Sequence, residues 1–126
     1  PQLFIDRDRF IQAVVNLLDN AVKYSEPQTE IRVSASRIGP DVQLSVTNYG
    51  IALRSEDVDA IFERGYRTEE AIEKVPGGTG IGLPVAQQII ELHGGSLSTG
   101  PSAYSSEEKA HEVTFTIVLP VTPKEA

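Results

Sequence analysis

The chain reads as an α+β two-layer sandwich, with helices laid on one face of a largely antiparallel sheet. Three observations predict this. Three stretches alternate apolar and polar residues with the period of half-buried strands, around Ile31–Ala35, Val42–Val46 and Val113–Leu119. Two longer stretches carry the apolar spacing of helices. The order strand, helix, two strands, helix, loop, helix, two strands then departs from the regular alternation of a doubly wound parallel fold. About five strands result.

Leu3 to Ile5 reads as a short strand, after which Asp6 or Asp8 caps a helix running to about Tyr24, where Ser25, Glu26 and Pro27 stop it. In that helix Phe10, Ile11, Val14, Val15, Leu17, Leu18, Ala21 and Val22 spread over most of the circumference, which predicts little solvent contact. The next two strands form a hairpin around Gly39, Pro40 and Asp41, with one wet face. Ser55 then caps a short helix with Glu56 and Asp57 in its first turn, Val58, Ile61 and Phe62 buried, and Gly65 as C-terminal cap. From Arg67 to Gly80 no period is sustained, so a mobile loop is expected. Pro84 fits the first turn of the helix that follows, whose apolar stripe is Val85, Ala86, Ile89, Ile90 and Leu92 as far as Gly94. Ser96–Thr99 and Val113–Leu119 close the sheet, separated by a polar loop from Gly100 to His111.

Composition narrows the chemistry. A chain of 126 residues, 40% of them hydrophobic, makes one domain with an ample core. Zero cysteines exclude disulfides, a thiol nucleophile and cysteine-ligated zinc, and two histidines exclude a three-histidine metal centre. Eighteen acidic against eleven basic residues give a net charge of -7. That charge disfavours a broad nucleic-acid or anionic-membrane surface, so an anion must bind at a local site. No apolar run approaches a membrane span, and the acidic start is no signal peptide. Because the first residue is Pro1, a piece of a longer protein is expected.

Two constellations carry the candidate chemistry. Gln12, Asn16, Asn20 and Lys23 follow one another at offsets of four, four and three, which stacks them as a polar line on an otherwise apolar helix. Asn20 and Lys23 suit a magnesium phosphate, the amide oxygen as a hard ligand and the ammonium against phosphate charge. The alternative is a polar seam bonded to neighbouring loops. The second constellation is Gly77, Gly78, Thr79, Gly80, Ile81, Gly82 running into a helix, where glycine admits phosphate oxygens to the backbone and the helix amides point at them. It is neither a Walker loop nor GxGxxG, since Val85 stands where the third glycine belongs, and alone it would equally suit a linker.

With both sites present, the chain resembles the ATP-binding catalytic domain of sensor histidine kinases, in the GHKL superfamily of the Bergerat fold shared with gyrase, Hsp90 chaperones and MutL. NLLDNAVKYS from Asn16 to Ser25 is similar to the family's N box, FERGYR from Phe62 to Arg67 to its F box, and GGTGIGL from Gly77 to Leu83 to its G2 box. HGGSL from His93 and TFTIVLP from Thr114 match its closing segments. The resemblance implies an open, mixed, largely antiparallel sheet of about five strands with three helices on one face and an ATP lid over about 67–80. It implies one catalytic domain over 1–126, with the dimerisation and phosphoacceptor domain upstream.

By position, the resemblance makes Asn20 the magnesium ligand, Asn16 the neighbour shaping the metal's water shell, Lys23 a phosphate contact and Tyr24 an adenine-side contact. Gly78, Thr79, Gly80, Ile81, Gly82 and Leu83 would hold the triphosphate, and Arg64 or Arg67 would reach it from the lid edge. The family's DxGxG box falls on NYGIA, so Asn48, followed by Gly50, replaces the aspartate that receives the adenine amino group, and Ala52 replaces the second glycine. Glu112 stands at a further glycine position. A neutral acceptor in place of a charged one loses about 1 kcal/mol, or several-fold in affinity, and an amide that both donates and accepts discriminates poorly between adenine and guanine edges.

The function so implied is transfer of the γ-phosphate of Mg2+-ATP to a histidine on a separate dimerisation domain, within a two-component phosphorelay ending in a response regulator. Hydrolysing members of the superfamily place a glutamate where Asn16 stands, and an amide cannot take water's proton. A cytoplasmic location, in a receptor that is itself membrane-bound or soluble, is expected, with no nucleic acid and no direct membrane contact. Two other readings stay open: a nucleotide-sensing module without phosphotransfer, and an anti-sigma-factor type serine kinase. His93 reads as a helix-end residue and His111 as solvated; Tyr49 reads as packing, and Glu69, Glu70 and Glu73 as a solvated helical face. Tyr66 is open between lid chemistry and an exposed patch.

Overall fold

A computed structural model describes residues 5–121 of the chain. Its first helix, α1 (Arg7–Tyr24), is opened by Asp6, whose carboxylate accepts from the Arg9 amide at 3.2 Å, and is closed at Ser25, whose hydroxyl donates to the Ala21 carbonyl at 2.5 Å. Asp6 is thus the cap and Asp8 lies in the first turn. The helix is less enclosed than its composition predicts. Ala13, Leu17 and Ala21 are buried, but Ile11, Val15 and Val22 are 49%, 53% and 65% exposed, so apolar residues also line a side that nothing among the described residues covers.

The hairpin follows as expected, β1 (Arg32–Ile38) pairing antiparallel with β2 (Asp41–Gly50) across Gly39 and Pro40. Gly39 takes φ +57, the left-handed value that the first residue of a tight hairpin turn requires. Contrary to the single wet face expected, β1 is exposed along its whole length, because the helices pack over β2 and β3 rather than over this edge. The stretch after β2 also departs from expectation. Residues 55–59 form turns, and only a short 3-10 helix, Ala60–Phe62, follows. Ser55 caps nothing there: Asp57 closes the turn, its carboxylate accepting from the Arg54 amide at 3.0 Å and from the Tyr66 hydroxyl at 2.8 Å. Gly65 is no helix cap either, lying beyond that element at φ +82.

The segment read as an aperiodic loop contains a helix, α2 (Glu69–Lys74), which Thr68 caps by accepting from the Ala71 amide. Next come α3 (Gly82–Leu92), β3 (Ser96–Thr99), β4 (Ala103–Ser105) and β5 (Ala110–Pro120). β4, which lies inside the presumed polar loop, folds back on the start of β5. Among the described residues, three α-helices and five strands match the number expected, though not everywhere the same segments. The strand read at Leu3–Ile5 falls on residues 3 and 4, outside the described residues, and on Ile5, which lies in no strand.

The sheet runs β1-β2-β5-β3, with β4 beside β3 along the same edge of β5, and every pairing among the described residues is antiparallel. α1 and α3 pack on each other and on the inner face. The core joins Leu17 and Ile90 from these helices to Val46, Leu97, Phe115, Ile117 and Leu119 from the strands. Leu92, assigned to the apolar stripe, is instead 80% exposed at the end of α3. His93 Nδ1 lies 2.7 Å from the Ile89 carbonyl while Nε2 accepts from the Asp6 amide at 2.8 Å. A carbonyl only accepts, so Nδ1 carries the proton, and the ring ties the end of α3 to the start of α1.

Candidate functional site

A cavity opens between α1, the glycine turn before α3, the end of β2 and the segment that carries α2. Strand register sets its floor. Asn48 points inward from β2 opposite Val113 of β5, two residues along from the Val46 and Phe115 pair, and Val113, Phe115, Leu53, Ile61 and Leu83 make the floor. Asn48 is 4% exposed in this apolar file. Thr47 and Tyr49 beside it point to the outer face and are bonded there, to Thr114 at 2.8 Å and Glu112 at 3.0 Å, whereas the Asn48 amide has no partner among the described residues. Gly50 lies just beyond. A Cβ there would sit 1.9 Å from the Tyr24 carbonyl, so only glycine lets the end of α1 close on β2.

The mouth is polar. Asn16, Asn20, Lys23 and Tyr24 line it from α1, and Asp19 joins them. Gln12, the remaining member of the polar line, is exposed and does not take part. Asn16 Nδ2 donates to the Gly82 carbonyl at 3.2 Å, so the seam accounts for that proton and leaves the amide oxygen free. Lys23 pairs with Asp19 at 2.9 Å, both side chains about half exposed. Asn20 has no side-chain partner among the described residues.

Opposite this row stands the start of α3. Ile81 opens it without a side-chain cap; the Ile81 amide donates to Thr79 Oγ1 at 3.3 Å, Pro84 has no proton to give, and Val85 bonds the Ile81 carbonyl at 3.1 Å. Gly82 and Leu83, both lining the cavity, are left with unpartnered amides among the described residues. Two free donors at the positive end of a helix attract an anion. Gly80 serves a different purpose: at φ +69, a Cβ there would lie 2.9 Å from the Gly65 backbone, and the Gly65 amide donates to the Gly80 carbonyl at 2.9 Å. The two glycines cross and pin both ends of the segment between them.

Within that segment Arg67 turns inward. Its guanidinium donates to the carbonyls of Gly78 at 3.2 Å, Ala71 at 2.8 Å and Val75, and to the Tyr24 hydroxyl at 3.1 Å, while Nε is buried without a partner. It therefore ties α2 and the glycine turn to α1. Lys74 to Glu26 and Arg54 to Glu70, each 3.4 Å, brace the same helix. Glu70 is accordingly half-buried and paired, not simply solvated. Tyr66 lines the cavity with its hydroxyl given to the buried Asp57, a bond that, with burial next, pushes its phenol above the ordinary value of 10.0. Tyr49 is raised likewise, first by its bond to Glu112, and stays on the outer face as packing.

Of the residues expected at the site, Asn16, Asn20, Lys23, Tyr24, Asn48, Arg67, Gly78, Thr79, Gly80, Gly82 and Leu83 line one cavity. Arg64 is exposed away from it, Ile81 is 38% exposed and does not line it, and Gly50 acts behind it. His111 is no solvated loop residue: it sits in β5, packed edge-on to Tyr104 at 5.3 Å and within 3.2 Å of Ser102 Oγ. Residues unforeseen were Asp19, which follows from the i, i+4 spacing to Lys23, and Asp57 and Thr68, whose roles need the fold.

The fold and this cavity define a nucleotide-binding domain, and the chain belongs to the family of histidine kinase-, DNA gyrase B- and HSP90-like ATPases, whose model matches residues 5–123. Among relatives, the chain is 30% identical over 118 residues to the sensor-like histidine kinase SenX3 of Mycolicibacterium smegmatis, covering 94% of this chain and 29% of that protein. It is 34% identical over 116 residues to the sensor histidine kinase WalK of Bacillus subtilis, covering 90% of this chain and 18% of that protein. The chain thus spans under a third of these relatives. Among solved structures, a mycobacterial sensor histidine kinase, MprB, superimposes with TM-score 0.81 at 29% identity, covering 98% of this chain and 77% of that one. The full-length ShkA structure in complex with AMPPNP gives 0.75 at 25% identity, covering 100% of this chain and 24% of that one. Its relatives are sensor histidine kinases, and ATP is the nucleotide of its family.

Proposed function

We propose that this domain binds Mg2+-ATP and presents the γ-phosphate to a histidine on a separate dimerisation domain, the first step of a two-component relay to a response regulator. The observation that carries this reading is the pair of free amides of Gly82 and Leu83 facing the Asn20 and Lys23 row across one cavity. The amides and the Lys23 ammonium hold phosphate oxygens. Asn20 Oδ1 is the protein's ligand for magnesium, which when bound neutralises phosphate charge. Lys23 exchanges Asp19 for phosphate on binding. Asn16, an amide fixed by the Gly82 carbonyl, offers no base to attacking water, so the phosphoryl group waits for another nucleophile. Among the described residues no helix is long and apolar enough to cross a membrane. In this reading the domain works on the cytoplasmic side, where ATP is.

Titration calorimetry of ATP with and without Mg2+, on wild type and Asn20→Ala, tests the binding. Metal-dependent binding that Asn20→Ala weakens at least about tenfold is expected, the loss of a ligand to a charged group being worth about 1.5–3 kcal/mol. Phosphotransfer is then followed with the parent protein's dimerisation domain. A nucleotide-sensing module is the second reading, favoured by Asn48 and by the engagement of Arg67 with its own segment. Binding without any transfer selects it.

A further inference from the structure

We propose that the bare edge of the sheet is a self-association surface, where β1 pairs antiparallel with β1 of a second copy of this chain and the uncovered side of α1 closes over the join. No β1 residue lines the nucleotide cavity, so this surface is separate from the site above. A strand edge presents unpaired N–H and C=O groups, and proteins ordinarily blunt it with short strands, bulges, proline or inward charges. Among the described residues the opposite edge follows that rule, since β3 has four residues and β4 three. β1 does not. Its seven residues, RVSASRI, pair with β2 without a bulge, include no proline, glycine, lysine or acid, and are exposed throughout. Both of its arginines turn back on their own chain: Arg32 lies 3.3 Å from the Tyr49 hydroxyl and 3.8 Å from Glu30, and Arg37 Nε donates to the Gly39 carbonyl at 3.2 Å.

Two features select a copy of the same chain as the occupant. The first is the step beside the edge. α3 packs on β3 and on α1, and α1 meets β2, so the side of α1 turned from α3 stands over β1. Ile11, Val15, Leu18 and Val22 occupy that side, within about 60° of one another and roughly 100–160° from Asn16, which bonds α3. Their offsets of four, three and four make the seam of a helix that packs on another helix. Beneath it Val33, 59% exposed, and Ala35 share the face of Val46 and Leu44. The second feature is self-complementarity. Opposed antiparallel residues share a face, so a two-fold axis normal to the sheet passes through a residue, and Ala35, the midpoint, engages all seven. Val33 then opposes the second copy's Arg37, Arg32 its Ile38 and Ser34 its Ser36, and no like charges meet. The two β2 strands come to lie three strand spacings apart, about 14 Å. Helices about 10–12 Å across above them leave no room for another element between the seams. Asn16, Asn20 and Lys23 face away from the join, so both cavities stay open. Seven strand and four helix residues a side fall short of the roughly 20–30 of a stable complex, so the association is weak and reversible.

Sedimentation equilibrium of this chain from about 10 μM to 1 mM, with hydrogen exchange on the same samples, is the test. Wild type should pass reversibly from monomer to dimer, and alternate amides of Arg32–Ile38 should exchange at least about twofold more slowly at the highest concentration. Ala35→Glu sets two carboxylates face to face on the axis and should weaken the dimer at least about tenfold; Ala35→Lys should do the same. An equal mixture of the two variants should recover the dimer to within about threefold of wild type, because the charges are then opposite. Val15→Lys, on the seam, should also weaken it. Both positions are exposed, so melting temperature and ATP titration should not change. A wild type that stays monomeric at 1 mM, or whose β1 amides exchange alike at all concentrations, overturns the proposal whether or not the variants fold. So does an Ala35→Glu dimer as tight as wild type, or a mixture that stays monomeric. None of these results touches the nucleotide reading, which the titration of ATP decides.

Discussion

Replacing Gly82 with alanine separates what the fold needs from what a ligand needs. Gly82 opens α3 with no left-handed torsion, and an added Cβ would lie 3.9 Å from Asn16 Cβ, an ordinary van der Waals contact. Nothing in the protein therefore demands glycine. Alanine is favoured over glycine in helices by roughly 0.5–1 kcal/mol, so the melting temperature should hold or rise by about 2–6 °C for a domain of this size. The methyl group nevertheless points at Asn16 of α1, in the cavity that the free amides share with Asn20 and Lys23. If a phosphate reaches those amides, the methyl displaces it from at least one charge-assisted hydrogen bond worth about 1.5–3 kcal/mol, which is roughly tenfold to a hundredfold in Kd. Scanning calorimetry and nucleotide titration on one preparation read both quantities. An unchanged Kd would refute the phosphate site at the start of α3; a fall in melting temperature would refute the claim that this glycine is free of structural duty.

Asp19→Asn should release Lys23 and tighten ATP about two- to fivefold at low salt, the size of one exposed ion pair, with the gain fading at high ionic strength in the same titration. Gly80→Ala should behave opposite to Gly82→Ala: with φ +69 and the Gly65 backbone 2.9 Å from the new Cβ, stability should fall by about 1–3 kcal/mol in urea unfolding. Arg67→Lys should raise hydrogen exchange of the Ala71–Gly78 amides at least about tenfold, because one ammonium cannot reach three carbonyls and Tyr24 together. Tyr66→Phe should cost stability at pH 8, and its deficit should shrink as pH rises beyond 10, since a phenol raised by folding contributes below its unfolded value and loses that contribution through its folded one. Urea melts of both proteins at pH 8 and pH 11 decide this; a deficit independent of pH would contradict the role given to the Asp57 bond.

Periodicity made the regular elements legible wherever one face is buried. β2 and β5 alternate because the helices cover their inner side, and their register follows. Patterning says less where burial is partial. The exposed Ile11, Val15 and Val22 are as apolar as the buried Leu17, so composition could not tell that α1 has an uncovered side. β4 and α2 escaped notice because they are short and lie among polar residues: Thr68 capping Ala71 fixes α2, and pairing with β5 fixes β4. At 55–62, the acids that looked like dipole-end residues serve differently. Asp57 is drawn in by Tyr66, a partner nine residues away that no local pattern announces.

The site was legible through spacing on one element, and illegible where a role depends on what crosses it. Asn16, Asn20 and Lys23 share one helix, so their common direction follows from the helical repeat. Whether that line was a ligand site or an internal seam could not follow, because the answer lies in hydrogen-bond accounting across elements. The accounting is divided. Asn16 spends a proton on Gly82 and Lys23 pairs with Asp19, as a seam would have it, whereas the Asn48 amide and the Gly82 and Leu83 amides find no partner among the described residues. First-turn helix amides lack intrahelical partners and are free to take a ligand, and Asn48, 4% exposed, turns its amide toward the cavity. The unbonded groups comprise two donors at a helix start and one amide that can donate or accept, set on either side of an apolar floor. That division of labour, anion at one end and a flat polar edge at the other, is the shape of a nucleotide. The bonded groups keep the two walls in register around it.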